Sequence, residues 1–276
     1  MIPKDYITEW GQTIPWRNRI YLEQDLIISR LLIEIFNHPE ISQKLAFRGG
    51  TALYKLFLSP PARYSEDIDL VQTVAEPIGN TLSSIKKIIT PILGKCKWKL
   101  NEGRATLIYR FAPEEVLATS AKIKIEINTR EHFSVFGFQQ KDFSIDSRWF
   151  TGSTKIQTYA LDELIATKLR ALYQRKKSRD LFDVWLSSQQ NKLNTKKTIM
   201  AFQKYMGNQN QTITRAVFEE NLANKMQSPL FTADISPILS SNVKWDITDA
   251  AKHVKTEFLS LLPGEPWKGN KSSSVF

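Results

Sequence analysis

The chain has 276 residues, enough for one large domain or two small ones, and its 38 lysines and arginines against 28 aspartates and glutamates leave a formal charge of +10. An excess of that size favours nucleic acid or another polyanion as partner. Cys96 is the single cysteine, which excludes an intrachain disulfide and a thiolate metal cluster and suits a reducing cytoplasm.

His38, His132 and His253 are scattered without metal-ligand spacing, and no Gly-x-Ser-x-Gly or Cys/His pairing occurs, which argues against zinc catalysis and hydrolase triads. The opening MIPKDYITEWGQTIPW lacks a basic start followed by an apolar run, and no stretch approaches the roughly 20 apolar residues of a membrane span. The expected location is the cytoplasm, with no membrane partner.

Residues 5–16 read as a short helix and loop, and 22–37 as an apolar helix stopped by His38-Pro39. A further helical turn at 41–45 precedes a glycine pair, after which 52–57 is predicted helical with Thr51 as its cap. An apolar strand opens at Asp67. The pattern then predicts a helix at 81–93 with Ile85, Ile88, Ile89 and Leu93 inward, strands near 97–100, 105–111 and 121–128, and short edge strands at 143–146 and 155–158.

From Tyr159 onward every periodic segment is helical: 159–175, a second helix after RKKSRD, then 197–206, 214–224, 231–239 and 246–262. This change of pattern places a boundary near Gly152, giving a first domain at 1–152 with N-terminal helices, a helical domain at 153–262 and a flexible tail at 263–276. Basic residues gather at Lys86-Lys87, 95–99, 170–179 and 192–197. Each run alone reads as a solvated face, although RNA entering beside an active site would need such phosphate contacts.

The segment from Phe47 to Leu70, FRGGTALYKLFLSPPARYSEDIDL, carries the chemistry. Gly49 and Gly50 permit backbone angles and a closeness of approach that a side chain would obstruct, and free amides at the following helix start would face a phosphate. Asp67 and Asp69 flank Ile68, so in a strand both carboxylates project to one side while Ile68 and Leu70 enter the core. Such a pair suits magnesium, with manganese as the alternative, together with triphosphate oxygens. Either signal alone is as well read as a turn or an exposed strand edge. Their joint occurrence within about two dozen residues points to a nucleoside triphosphate and its metal.

A third acid comes from AKIKIEIN at 121–128, where alternation puts Glu126 on the polar face among lysines; a merely solvated face is an equal reading of that strand by itself. Lys168 borders the apolar stripe of Leu161, Leu164, Ile165, Leu169 and Leu172, where a lysine either snorkels to solvent or meets a triphosphate. Asp180 and Asp183 lie i, i+3 on the next helix. Asp180 has the choice of orienting Lys168 or Arg179, touching nucleotide, or acting only as a charge at a helix start. Arg63 and Ser65 are near enough in sequence to reach phosphates, though loop residues of these types usually face water.

These residues resemble the AbiEii/AbiGii toxin branch of the DNA polymerase beta-like nucleotidyltransferases. The similarity lies in GGTAL at 49–53 followed by RYSEDIDL at 63–70, KIEIN at 124–128, ELIATKLRALYQR at 163–175 and RDLFDVW at 179–185, with a similar helical tail beyond. Many members of the superfamily open with Gly-Ser where this chain has Gly49-Gly50, so a hydroxyl that elsewhere touches phosphate is missing.

The resemblance implies an α/β fold, a nucleotidyltransferase-type mixed sheet with flanking helices, followed by a C-terminal helical bundle. It implies attack by an acceptor hydroxyl on the α-phosphate of a magnesium-bound triphosphate, with pyrophosphate released. Asp67, Asp69 and Glu126 would hold metal; Gly49, Gly50, Thr51, Arg63 and Ser65 would bind nucleotide; Lys168 would screen the triphosphate, with Asp180 also catalytic. It further implies the toxin of a toxin–antitoxin or abortive-infection system, acting on tRNA or other RNA and neutralised by an antitoxin. Two other readings stay open, a transferase acting on a protein or a small molecule such as an aminoglycoside, and a non-catalytic nucleotide-binding module. The retention of Asp67, Asp69, Glu126 and Lys168 together disfavours the second.

Overall fold

The apolar run of the N-terminal region forms α2 (Arg19–Phe36), which follows the short α1 (Lys4–Trp10) and is started by the Asn18 side chain accepting a hydrogen bond from the Ile20 amide. Pro39, which has no N–H to continue the ladder, opens α3 (Pro39–Ser42) instead. The computed structural model describes residues 2–114, 120–190 and 193–269. It divides into two units, Met1–Ala160 with Ile238–Val243, and Leu161–Pro237 with Lys244–Phe276.

In the first unit β1 (Leu45–Arg48) runs directly into α4 (Gly49–Leu56), and β2 (Asp67–Gln72) leads to α5 (Gly79–Leu93). Then follow β3 (Lys97–Asn101), β4 (Arg104–Phe111), β5 (Ala121–Asn128), β6 (Phe138–Asp146) and β7 (Thr151–Tyr159). All seven join one mixed sheet in the order β3-β4-β5-β2-β1-β7-β6. The pairs β1/β7 and β2/β5 are parallel, and the others are antiparallel.

Leu45, expected to end a helical turn, instead opens a central strand, and residues 46–48, for which no strand was expected, continue it. Leu45, Ala46 and Phe47 are all fully buried, so the alternation that marks a half-exposed strand is absent. The hairpin of β6 and β7 is longer than the two short edge strands expected, and β7 is interior, lying between β1 and β6. The boundary expected near Gly152 would cut β7, which pairs with β6 along its whole length and with β1 at Phe47↔Thr158. The units divide after Ala160 instead.

Leu26, Ile28, Leu31, Leu32 and Ile35 of α2 are completely buried, as are Ile68, Leu107, Ile123, Ile125 and Ile156 of the sheet. Each such side chain contributes about 1.5–3 kcal/mol by leaving water. One polar cluster interrupts the apolar packing of α2. Asp25, 6% exposed, accepts the indole N–H groups of Trp10 at 3.1 Å and Trp16 at 3.4 Å, and both its oxygens lie 2.8 Å from Lys55 Nζ on α4. The cluster ties the N-terminal segment and α4 to α2.

The second unit is helical: α6 (Leu161–Gln174), α7 (Ser178–Gln189), α8 (Thr195–Gly207), α9 (Arg215–Met226), α10 (Pro229–Thr232) and α11 (Ile247–Glu257). Here α6 packs on α7 and α8, and α11 on α7. The helix expected at 231–239 shrinks to α10 and a 3-10 turn at Ser236–Ile238, because Pro237 removes a donor. The chain then rejoins the first unit, where the Ser240 amide donates to Ala62 and the Tyr64 amide to Ile238. The expected helix at 246–262 likewise ends at Glu257, followed by a 3-10 turn at Leu259–Leu261.

Of the tail expected to be flexible, residues 263–269 are described and dock partly on α9. The Arg215 amide donates to Pro263, and the Trp267 amide to Glu219 Oε2 at 3.0 Å. Residues 270–276 and residue 192 of the fourth basic run lie outside the described residues. Among the described residues no helix is long and apolar enough to cross a membrane.

Replacing Asp25 by Ala takes the acceptor from two indole N–H groups and leaves the Lys55 ammonium with the Ser29 hydroxyl but without its carboxylate. The unfolding free energy should fall by about 3–5 kcal/mol in urea titration, with red-shifted tryptophan emission. An unchanged midpoint would show that the cluster carries no stability.

Candidate active site

The first unit assembles its candidate residues around the junction of β1 and α4. Gly49 has φ +82°, and a methyl group on it would stand 2.1 Å from Asp69 Oδ2, so only glycine lets the backbone pass this close to the carboxylate. A methyl on Gly50 would stand 2.6 Å from Arg63 Nη2 and 2.8 Å from Ser65 Oγ. The helix starts at Gly49 with Arg48 in the capping position, so the capping role expected of Thr51 is not observed. As the third helical residue, Thr51 turns its hydroxyl to the Asp67 carbonyl at 2.6 Å and to Ser65 Oγ at 2.9 Å.

Parallel pairing sets Asp67 beside Lys124 and Asp69 beside Glu126. Because paired residues in a ladder share a face, all four side chains project to one side, while Ile68, Leu70, Ile125 and Ile127 are buried on the other. Lys124 Nζ lies 2.7 Å from Asp67 Oδ2 and 3.7 Å from Glu126 Oε1, and Arg104 Nη1 lies 3.7 Å from the same Glu126 oxygen. Partial burial works against the Lys124 ammonium. The hydrogen bond to Asp67 and the charges of Asp67, Glu126 and Asp69 outweigh it, and its pKa is raised above the ordinary lysine value.

An all-carboxylate donor set on one face fits a hard divalent cation, and the place already gathers positive charge in the form of Lys124. Among the described residues no three acids stand around a common point, and the Lys124 ammonium sits against both Asp67 and Glu126.

Arg63 is buried at 2% exposure rather than facing water, with its guanidinium 5.0 Å from the centre of the Tyr54 ring and Nη1 donating to the Tyr64 carbonyl. Thr51, Arg63 and Ser65 together line a cavity of about 340 Å³ whose walls include Asp25, Tyr54 and Lys55 but none of the three acids.

Lys168 and Asp180 belong to the second unit. Lys168 does not snorkel; its side chain is 7% exposed, with Nζ 2.8 Å from Asp183 Oδ2 and 3.7 Å from Asp180 Oδ1. Asp180 is gripped by Arg175 through two bonds of 2.6 and 2.8 Å, whereas Arg179, an alternative partner, pairs with Asp234. Sequence reasoning missed Lys124 and the closeness of Asp183 to Lys168. The i, i+3 spacing of Asp180 and Asp183 was a signal for the second; for the first, strand alternation put Lys124 on the face of Glu126, but its meeting with Asp67 depends on the β2/β5 register.

Near Asp180, Lys225 Nζ donates to the carbonyl oxygens of Leu172 and, at 2.6 Å, Tyr173 in the last turn of α6. Burial pushes its ammonium down to about 8, with the Asp180 charge opposing and Lys176 assisting.

The model of the AbiEii nucleotidyltransferase toxins of type IV toxin–antitoxin systems matches residues 30–253. The chain belongs to the AbiEii nucleotidyltransferase toxin family. MenT4, a nucleotidyltransferase toxin of Mycobacterium tuberculosis, has a similar structure, with a TM-score of 0.58 at 13% identity over 96% of this chain and 100% of its own. JHP933 of Helicobacter pylori gives 0.56 at 17% identity over 87% of this chain and 91% of its own. At such identities the likeness carries the fold, the mixed sheet with flanking helices. No curated protein matches the chain. Membership of the AbiEii family makes the chain a toxin nucleotidyltransferase, with a nucleoside triphosphate as substrate and a cognate antitoxin.

Gly49→Ala should cost about 1–2 kcal/mol from the left-handed backbone alone and displace Asp69. Nucleotide transfer, measured where the variant is folded, should drop well below that of Gly79→Ala, whose added methyl meets nothing within 4 Å. Equal activity of the two variants would sever Asp69 from the reaction.

For Lys225 the folded pKa of about 8 lies below the ordinary lysine value of 10.5, so between these values the unfolded chain holds a proton that the folded chain has released. Unfolding free energy should therefore rise with pH across that window by about 1.4 kcal/mol per unit relative to Lys225→Met. Parallel pH profiles for the two proteins would refute the assignment.

Proposed function

We propose that the chain transfers a nucleotide from a nucleoside triphosphate to an acceptor hydroxyl on RNA, tRNA being the first candidate, and that this transfer is its toxic activity. The observation that supports the reading most directly is the Gly49 backbone passing against Asp69, with Asp67 and Glu126 on the same sheet face. The formal charge of +10 supports a polyanionic acceptor.

The α4 start, whose first-turn amides have no partner within a helix and receive no side-chain cap from Arg48, receives the phosphates, and the tight Gly49-Gly50 turn brings the backbone close to them. Asp67 and Asp69 would hold magnesium, or manganese in its place, with Glu126 completing the set; a bound ion supplies charge neutralisation to the triphosphate. Glu126 accepts a hydrogen bond from the acceptor hydroxyl and favours its deprotonation as it attacks the α-phosphorus in line with the departing pyrophosphate. The family pattern gives Lys168 the task of screening the triphosphate. Within its own unit Asp183 and Asp180 hold that ammonium in place.

Incubation of the protein with labelled triphosphates and separate pools of tRNA, protein and aminoglycoside, followed by sequencing of RNA 3′ ends, tests the reading. Label should enter tRNA, and Asp69→Asn should lower transfer by at least about 10²-fold and relieve growth inhibition. Label entering protein or aminoglycoside alone would refute the RNA acceptor, and undiminished toxicity of Asp69→Asn would remove catalysis from the explanation.

A further inference from the structure

The pairing registers that join Asp67 to Lys124 and Asp69 to Glu126 continue outward across the sheet. Lys124 lies opposite Ile108 and Glu126 opposite Thr106 on β4; Ile108 lies opposite Lys97 and Thr106 opposite Lys99 on the edge strand β3. Two rows of side chains therefore run over one face, Asp67-Lys124-Ile108-Lys97 and Asp69-Glu126-Thr106-Lys99. On the same face, one register further in each direction, Arg110 pairs with Lys122 and Arg104 with Asn128. The opposite face of these strands is the core, where Ala105, Leu107, Tyr109, Ile123, Ile125 and Ile127 are buried.

The outer part of this face is strongly cationic. Lys97, Lys99, Arg104, Arg110 and Lys122 are all exposed. Among the described residues, Lys97, Lys99, Arg110 and Lys122 have no carboxylate partner, and Arg104 leans on Glu126 at 3.7 Å. With a strand spacing of about 4.8 Å, the lysines of β3 stand about 14 Å from the β2 aspartates. Cations pointing in parallel from adjacent strands repel one another. Nothing in the packing requires them, since that face is not the one buried in the core.

We propose that the β3-β4-β5 face is the docking track for the acceptor RNA, its backbone phosphates lying on Lys97, Lys99, Arg110 and Lys122 and its reacting hydroxyl reaching Glu126 and the aspartates. Charge complementarity selects a polyanion, and continuity with the acidic row selects one that also presents a hydroxyl there. An anionic membrane surface satisfies the first requirement and not the second. The track rests on the reading of RNA as the acceptor and adds where that acceptor lies.

The test compares the wild-type chain with a variant carrying Lys97→Glu, Lys99→Glu, Arg110→Glu and Lys122→Glu, and with a control, Lys252→Glu with Lys255→Glu on α11. Binding of fluorescein-labelled tRNA is followed by anisotropy over a salt series, triphosphate binding by calorimetry, and RNA transfer by label incorporation. The four-site variant should lose at least about 10-fold in RNA affinity and lower the slope of log K against log salt by about 2–4. It should bind triphosphate as the wild type does and lose transfer chiefly through KM, while the control keeps its RNA affinity.

Unaltered RNA binding by the four-site variant, with wild-type transfer to RNA intact, overturns the track and leaves the acceptor reading standing. An equal loss in the control likewise overturns it. Absence of any transfer to RNA by the wild-type chain overturns the acceptor reading and the track together. Loss of binding to phosphatidylserine vesicles with RNA affinity retained would assign the face to a membrane and overturn the proposal.

Discussion

The parallel pairing of β2 with β5 sets Asp67 beside Lys124 and Asp69 beside Glu126, and the candidate chemistry of the first unit is arranged around that register. What holds it is apolar. Ile68, Leu70, Ile123, Ile125 and Ile127 are essentially inaccessible on the far face, and a slip of one residue would turn them all to solvent. Five such side chains, at about 1.5–3 kcal/mol each, outweigh the cost of holding three carboxylates near one another. The acidic face is thus positioned by hydrophobic burial on the other side of the same strands.

Each unit sets a lysine among carboxylates, with different consequences. Lys124 is 27% exposed and bonds an aspartate that is 28% exposed, a half-wet pair of modest strength. Lys168 is 7% exposed between two aspartates with no exposure at all, and such a pair is costly to break from one side. The first arrangement is suited to exchange, the second to holding a charge still.

Much of this was legible locally. That Asp67 and Asp69 share a face follows from the period of a strand, and the closeness allowed by Gly49 follows from its lacking a side chain. Other elements were hidden for identifiable reasons. Strand β1 is buried on both faces and shows no alternation, so no strand was legible at 45–48 and Leu45 passed for the end of a helical turn. Strand β7 looks like a short edge because its first half is partly exposed, yet it is enclosed by β1 and β6. The segment at 231–239 has helical spacing, but Pro237 stops the helix and the chain returns to the first unit at Ile238–Val243.

The sequence by itself determined which residue types line each face of each strand and helix, and through its motifs it determined the family. The tertiary structure decided who meets whom: Lys124 with Asp67, Asp183 with Lys168, Gly50 with Arg63 and Ser65, and the alignment of Lys97 and Lys99 with the acidic rows. The reason is physical. A face is set by local periodicity, which any short stretch of chain carries, whereas neighbours across strands depend on strand order and register, and those are settled only when distant apolar segments bury one another.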